Sequence, residues 1–325
     1  MSLLEVKNLS VEYNTPSGKI KALHNLTFTL EKGEVLGFLG ESGSGKSTLA
    51  YAIMGILPSN ATITSGEIIY DGINLLKTSE RDIRKIRGRK ITLIPQNSMS
   101  ALSPVHKIGD QMLEILQTHT RYSTKKAMKI IYNRLRTARL SRDVLNKYFH
   151  ELSGGMRQRV VIAMSLLTNP DIIVADEPTT GLDVIVQFQI LKELKSLQKK
   201  LGVSLIFISH DVSVIAYLST KVAVLYGGYL YEYGTSYDVF KNSKNPYTIL
   251  LLRSHPEIKS KKKEITEIPG SPPNMLNPPS GCIFHPRCPF SEDICKEKVP
   301  PLIKVGKDHF SRCFFINKIS GENYE

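Results

Sequence analysis

An α/β fold built on a mostly parallel sheet, interrupted by a helical insertion and followed by a cysteine-bearing C-terminal extension, is predicted by three observations. Short apolar runs alternate with helix-like segments up to about residue 240, the spacing of a mostly parallel sheet. The stretch from roughly 104 to 150 keeps a helical period and contains few strand-like runs. All four cysteines, and 11 of the 17 prolines, fall after residue 240.

The strand candidates are Glu34–Leu39, Lys90–Ile94, Ile172–Ala175 and Val203–Ile208. They are nearly continuous in apolar character, as strands covered on both faces are. Leu49–Met54 begins a helix, and a second helix runs through Val160 to about Thr168, with Ser153 as its cap and Asn169-Pro170 as its stop. The organisation that follows is a core over 1–240 with a helical subdomain at about 98–160, and an extension over 241–325. Within the extension, Pro269, Pro272, Pro273, Pro278 and Pro279 mark a loop or spacer, and Lys259-Ser260-Lys261-Lys262-Lys263 forms a basic tract.

Composition limits the classes. With 325 residues at 41% apolar and 22% charged, the chain is globular, not disordered. No apolar run approaches the roughly 18 residues needed to cross a bilayer, and the N-terminus lacks an export pattern, so a cytosolic chain is expected. A reducing compartment argues against disulfides. The net charge of +13 is concentrated: residues 81–160 hold 18 Lys+Arg against 5 Asp+Glu. Nucleic acid, anionic lipid, an acidic partner and a merely solvated face all fit that pattern.

Gly40-Glu41-Ser42-Gly43-Ser44-Gly45-Lys46-Ser47-Thr48 fits G-x-x-x-x-G-K-[ST] between a strand candidate and a helix start. Glycines let backbone N–H groups converge on phosphates, and the helix N-terminus adds partial positive charge. Lys46 bridges the β and γ oxygens, and the Ser47 hydroxyl suits Mg²⁺. A second signal is Ile172–Ala175 running into Asp176-Glu177 at the carboxyl edge of the sheet. Asp176 suits the metal and Glu177 the attacking water.

Leu152-Ser153-Gly154-Gly155-Met156-Arg157-Gln158-Arg159 resembles the signature motif of ABC-type ATPases, which are P-loop NTPases. Ser153, Gly154 and Gly155 at a helix start make a second anion site, which implies a nucleotide shared across a dimer. The resemblance runs in register from about residue 3 to 240. It implies that Tyr13 stacks on adenine and that Gln96 senses Mg²⁺ and contacts membrane subunits. It also makes Gly181-Leu182-Asp183 a dimer-interface loop and His210 the switch histidine at the γ-phosphate. Gly181 stands where many members carry alanine. In transporters of this type the helical insertion docks on a cytoplasmic helix of the membrane subunit, which turns the basic region toward the membrane.

The tail, Pro279-Ser280-Gly281-Cys282-Ile283-Phe284-His285-Pro286-Arg287-Cys288-Pro289-Phe290 with Cys295, His309 and Cys313, resembles the C-terminal extension of oligopeptide and dipeptide importer ATPases. That group also includes nickel and oligosaccharide importers, and the chain looks like the first of two unequal ATPase subunits. The implied partners are a related second ATPase subunit, two integral membrane permeases and an extracellular solute-binding protein, with no nucleic acid and a peripheral place on the cytoplasmic face of the membrane. A soluble ABC ATPase of DNA maintenance is the competing class, disfavoured because only about 105 residues separate Lys46 from Ser153. The cysteine spacing C-x₅-C-x₆-C-x₁₇-C leaves free thiols, zinc and an iron–sulfur cluster open. Resemblance favours a [4Fe–4S] cluster on Cys282, Cys288, Cys295 and Cys313. Its expected role is to supply folding energy to a tail with too few apolar residues for a core of its own, leaving nucleotide binding at Lys46 independent of the tail.

Overall fold

The computed structural model describes residues 2–96, 101–254 and 267–319. The Lys259–Lys263 tract, and residues 98–100 of the expected helical subdomain, lie outside the described residues. In chain order the first elements are β1 (Leu4–Thr15), β2 (Gly18–Leu30), β3 (Val35–Leu39), α1 (Lys46–Met54), β4 (Ala61–Tyr70), β5 (Ile73–Asn74), α2 (Glu80–Ile86) and β6 (Ile91–Ile94). Next come α3 (Ile108–His119), α4 (Thr124–Thr137), α5 (Gly154–Ser165), β7 (Ile172–Asp176), α6 (Val184–Leu201), β8 (Ser204–Ser209) and α7 (Val212–Leu218). The chain continues with β9 (Lys221–Tyr226), β10 (Tyr229–Thr235), α8 (Ser236–Lys241), α9 (Pro246–Arg253), α10 (Asp293–Glu297), β11 (Leu302–Lys304) and β12 (Phe310–Arg312).

The chain divides into two compact units. One comprises Met1–Leu3, Glu31–Glu34 and Ile73–Phe207; the other comprises Leu4–Leu30, Val35–Gly72 and Ile208–Glu325. In the first, β8, β7 and β6 lie side by side, with β6 parallel to β7 so that Ile91 faces Ile172 and Ile94 faces Ala175. Every residue of β7 is buried, which explains its unbroken apolar sequence up to Asp176. The ion pair of Lys90 Nζ with Asp171 Oδ2, at 2.9 Å, ties the entries of these two strands. In α3 the buried residues are Ile108, Met112 and Leu116, and in α4 they are Ala127, Ile131 and Leu135. Spacing by four puts each set on one stripe, and the two helices pack together.

In the second unit β11, β12, β10, β9 and β3 are neighbours in that order. β3 pairs with β9 in parallel, whereas β9–β10, β10–β12 and β11–β12 are antiparallel. β1 pairs antiparallel with both β2 and β4. These antiparallel strands were not among the sequence-derived candidates, for a physical reason. Their buried and exposed residues alternate, and bulges break the alternation, with Asn8 at φ 50° and Asn25 at φ 46°. Such strands lack the continuous apolar runs that mark the parallel ones.

The extension completes a core instead of building its own. Phe284 enters a cluster with Tyr226, Tyr231 and Tyr247, its ring 5.2 Å from those of Tyr226 and Tyr247. β12 adds to β10 with Ser311 opposite Glu232. Beside that pairing the buried Glu232 carboxylate accepts from Ser243 Oγ at 2.7 Å, Lys244 N–H at 2.6 Å and His309 Nε2 at 2.8 Å. A carboxylate with three donors is a tolerable burial, and it pins the last strands to β10.

Candidate functional site

The phosphate loop of the second unit turns out of β3 into α1. Gly45 stands at the helix N-cap with φ 100°, and a Cβ there would lie 2.6 Å from the Ala22 carbonyl oxygen and 2.8 Å from the Leu23 side chain. Only glycine fits that turn. Gly43 has φ 77° with nothing within 4 Å of a Cβ, so the backbone there is open to an approaching group. Lys46 is buried, and its ammonium donates to the Gly40 carbonyl at 2.7 Å, the Glu41 carbonyl at 2.8 Å and Ser44 Oγ at 3.1 Å. The hydroxyls of Tyr13 and Thr48 are 3.1 Å apart, which brings Tyr13 to the side of the loop. His210, in the same unit, is exposed at the end of β8, just before Asp211 caps α7.

The first unit holds the acidic strand end. Asp176 is fully buried at the last position of β7. Glu177 follows in the left-handed region, φ 44°, a conformation uncommon outside glycine and asparagine that concentrates at functional sites. Its Oε2 accepts from Gln96 Nε2 and from Thr180 Oγ1, each at 3.0 Å. Two donors fix the carboxylate's direction. Ser153 caps α5, its Oγ accepting from the Met156 N–H at 3.4 Å, and Asp183 caps α6, its Oδ1 accepting from the Val186 N–H at 2.9 Å. The two caps are neighbours: a Cβ on Gly154 would lie 3.5 Å from Leu182, and one on Gly155 would lie 2.9 Å from Val186. Close helix packing therefore explains Gly155 independently of ligand chemistry.

The sequence-derived residues thus form two sets. Tyr13, Gly40, Ser42, Gly43, Ser44, Gly45, Lys46, Ser47, Thr48 and His210 belong to one unit; Gln96, Ser153, Gly154, Gly155, Asp176, Glu177 and Asp183 belong to the other. The donor chemistry fits a Mg²⁺–triphosphate. A glycine cradle whose Cβ positions are closed at Gly45 and open at Gly43, a helix N-terminus and an ammonium suit phosphate oxygens. Ser47 in one unit, and Asp176 and Gln96 in the other, each carry the kind of hard oxygen donor that Mg²⁺ prefers.

The expected iron–sulfur centre does not stand. Cys282, Cys288, Cys295 and Cys313 are free and line one cavity with Tyr231 and Phe284, but that cavity is only about 20 Å³, room for about one water. Among the described residues no three His, Cys, Asp or Glu side chains are grouped to hold a metal ion. Burial pushes the Cys288 thiol up to about 12 and the Cys313 thiol up to about 11, and raises that of Cys282. The extension is held by Phe284, Glu232 and β12, and the folding energy assigned to a metal comes from that packing.

Sequence reasoning also missed Arg287. Its guanidinium binds Glu41 inside the phosphate loop, 246 positions away, at 2.7 and 3.0 Å. That pair puts the tail in direct contact with the loop whose nucleotide binding was expected to stay largely intact without it. No local pattern signals it, although an arginine beside a cysteine in a proline-rich segment is an unusual charge to bury.

Comparison with known proteins agrees with this geometry. The family described as ABC transporter matches residues 23–180, and the family described as oligopeptide/dipeptide transporter, C-terminal region, matches residues 231–295. The dipeptide transport ATP-binding protein DppD of Lactococcus lactis subsp. cremoris is 43% identical over 97% of this chain and 91% of its own length. The oligopeptide transport ATP-binding protein OppD of Salmonella typhimurium is 42% identical over 96% of this chain and 93% of its own. Among solved structures, the ATP-binding cassette MJ0796, a dimer in a post-hydrolysis state with ADP and Pi, is similar with a TM-score of 0.65 and 29% identity over 72% of this chain and 98% of that one.

Proposed function

Because the chain belongs to the ATP-binding proteins of the ABC transporter family, in the branch of oligopeptide and dipeptide transport, we propose that it hydrolyses ATP to drive import of short peptides through membrane permeases. The observation that carries the reading is that one chain holds two anion-ready helix starts, α1 behind the glycine loop and α5 behind Ser153. One nucleotide needs only one of them. Two copies of the motor, this chain and a related partner, sandwich two ATP molecules, each between the loop of one subunit and Ser153, Gly154 and Gly155 of the other. The exposed Val184 and Ile185 that follow Asp183 supply apolar surface for that partner.

In this reading Tyr13 stacks on the adenine, Gly40 to Thr48 enclose the phosphates, and Lys46 neutralises the β and γ oxygens. Glu177 accepts the proton of the attacking water, and His210 holds the γ-phosphate as charge develops on it. Gln96, already bonded to Glu177, relays the state of the permease to the base. Ser47, Asp176 and Gln96 would hold Mg²⁺, which when bound would supply charge neutralisation. No helix among the described residues is long and apolar enough to cross a membrane. In this reading, which rests on the likeness to peptide-transport ATP-binding proteins, the path for the solute lies in two permease subunits on whose cytoplasmic face this chain sits, fed by an extracellular solute-binding protein.

The test is reconstitution of the full complex in vesicles. ATP turnover should rise when the binding protein carries a short peptide, and Glu177→Gln should lower turnover by about two to four orders of magnitude while ATP still binds. Stimulation by nickel or an oligosaccharide instead of peptide would refute the solute. Unchanged turnover in Glu177→Gln would remove that residue from its role.

A further inference from the structure

The phosphate loop is not held by its own residues alone. Glu41, its second residue, is gripped from the extension by a two-bond fork: Arg287 Nη1 donates to Oε2 at 2.7 Å and Nη2 donates to Oε1 at 3.0 Å. The pair is shielded from water, with Arg287 6% and Glu41 22% exposed, so salt screens it weakly. Arg287 is fixed in turn, its Nε donating to the Pro269 carbonyl at 2.7 Å and its Nη1 to Tyr226 Oη at 3.2 Å. Burial opposes its charge, but the hydrogen bonds to Glu41 and Tyr226 outweigh that and hold its pKa above the ordinary arginine value.

Glu41 is tied by its backbone as well. Its N–H donates to Tyr247 Oη at 3.0 Å, and its carbonyl accepts from Lys46 Nζ at 2.8 Å. One residue is therefore fixed by its side chain, its amide and its carbonyl, and the last of these ties ends on the ammonium of the phosphate loop. Two of the three come from residues C-terminal to the motor sequence, Tyr247 and Arg287.

We propose that Arg287 is a positioning residue of the phosphate loop, so that the folded C-terminal extension sets the affinity of the motor for ATP. The proposal rests on the reading of Gly40 to Thr48 as the ATP loop. Two effects act in the same direction. The fork orients the backbone of Glu41, and it neutralises a carboxylate that would otherwise stand beside an incoming triphosphate.

ATP hydrolysis by the full complex, measured as KM and kcat, tests this in Arg287→Gln, Glu41→Gln, the double variant and Lys46→Ala, with the melting temperature of each followed alongside. Arg287→Gln should raise KM for ATP roughly tenfold. In the Glu41→Gln background the same substitution should add less than about threefold, because the charge it balanced is gone. An unchanged KM, an equal effect in both backgrounds, or a fall in kcat alone, the mark of a partly unfolded population, would overturn the proposal. Lys46→Ala separates the two levels: if it leaves ATP binding intact, the loop reading itself fails, whatever Arg287 does.

Discussion

Gly40–Thr48 and Phe284–Arg287 meet in the same unit, yet they are built by opposite means. The loop is a local device. Its shape follows from a glycine at φ 100° and from a lysine that bonds carbonyls five and six positions before it. Beyond α9, the described residues of the extension have little local order: short 3₁₀ turns, a five-residue helix and two three-residue strands. It is ordered by distant partners, Phe284 by tyrosines 37 to 58 positions earlier and Arg287 by Glu41. A device of the first kind is written in consecutive residues, whereas one of the second kind exists only once the chain has folded.

The largest test of that contrast strikes the extension. Phe284 is 2% exposed among three tyrosine rings, so Phe284→Ala should cost about 3–5 kcal/mol in denaturant unfolding. If the extension relied on local structure, the loss would fall well below that range and the contrast would fail.

Gly45→Ala strikes the loop. It combines backbone strain at φ 100° with a collision against the Ala22 carbonyl, for an expected cost of about 2–4 kcal/mol. Gly43→Ala serves as its control, because its φ of 77° brings strain without a collision and should cost about 1 kcal/mol. Equal losses at both sites would show that close packing around Gly45 contributes nothing.

This contrast also explains what could be read from the sequence. The phosphate loop, the strand ending in Asp176-Glu177 and the helix capped by Ser153 are each consecutive and periodic, and each folds as its sequence implies. The antiparallel β1, β2 and β4 were not legible because half-exposed strands with bulges carry no apolar run. The cysteines misled for a related reason. Spacing records only that four residues return to one place, and these four do line one cavity. It does not record whether that place has room for a metal centre or is filled by Phe284 and Tyr231.

The smallest expected effect lies between the two regions. His24, on β2, donates its backbone N–H to Gly228, whose own N–H bonds the Ser44 carbonyl of the loop. Its ring stacks on Tyr229 at 4.0 Å and 11°, and Arg312 from the extension lies over the same tyrosine at 5.2 Å. Burial, with the charges of Lys21 and Arg312 adding to it, pushes the His24 pKa from 6.5 down to about 4. The sign follows directly. Between those values the unfolded chain binds the proton and the folded chain does not, so stability rises with pH across this window. The contribution of His24 is full above pH 6.5 and declines as pH falls toward 4. His24→Phe keeps the stack and removes the titration, so stability measured by denaturant unfolding should lose part of its pH slope between 6.5 and 4 while changing little at neutral pH. An unchanged slope would mean that His24 takes up its proton at about its ordinary pKa without leaving the stack.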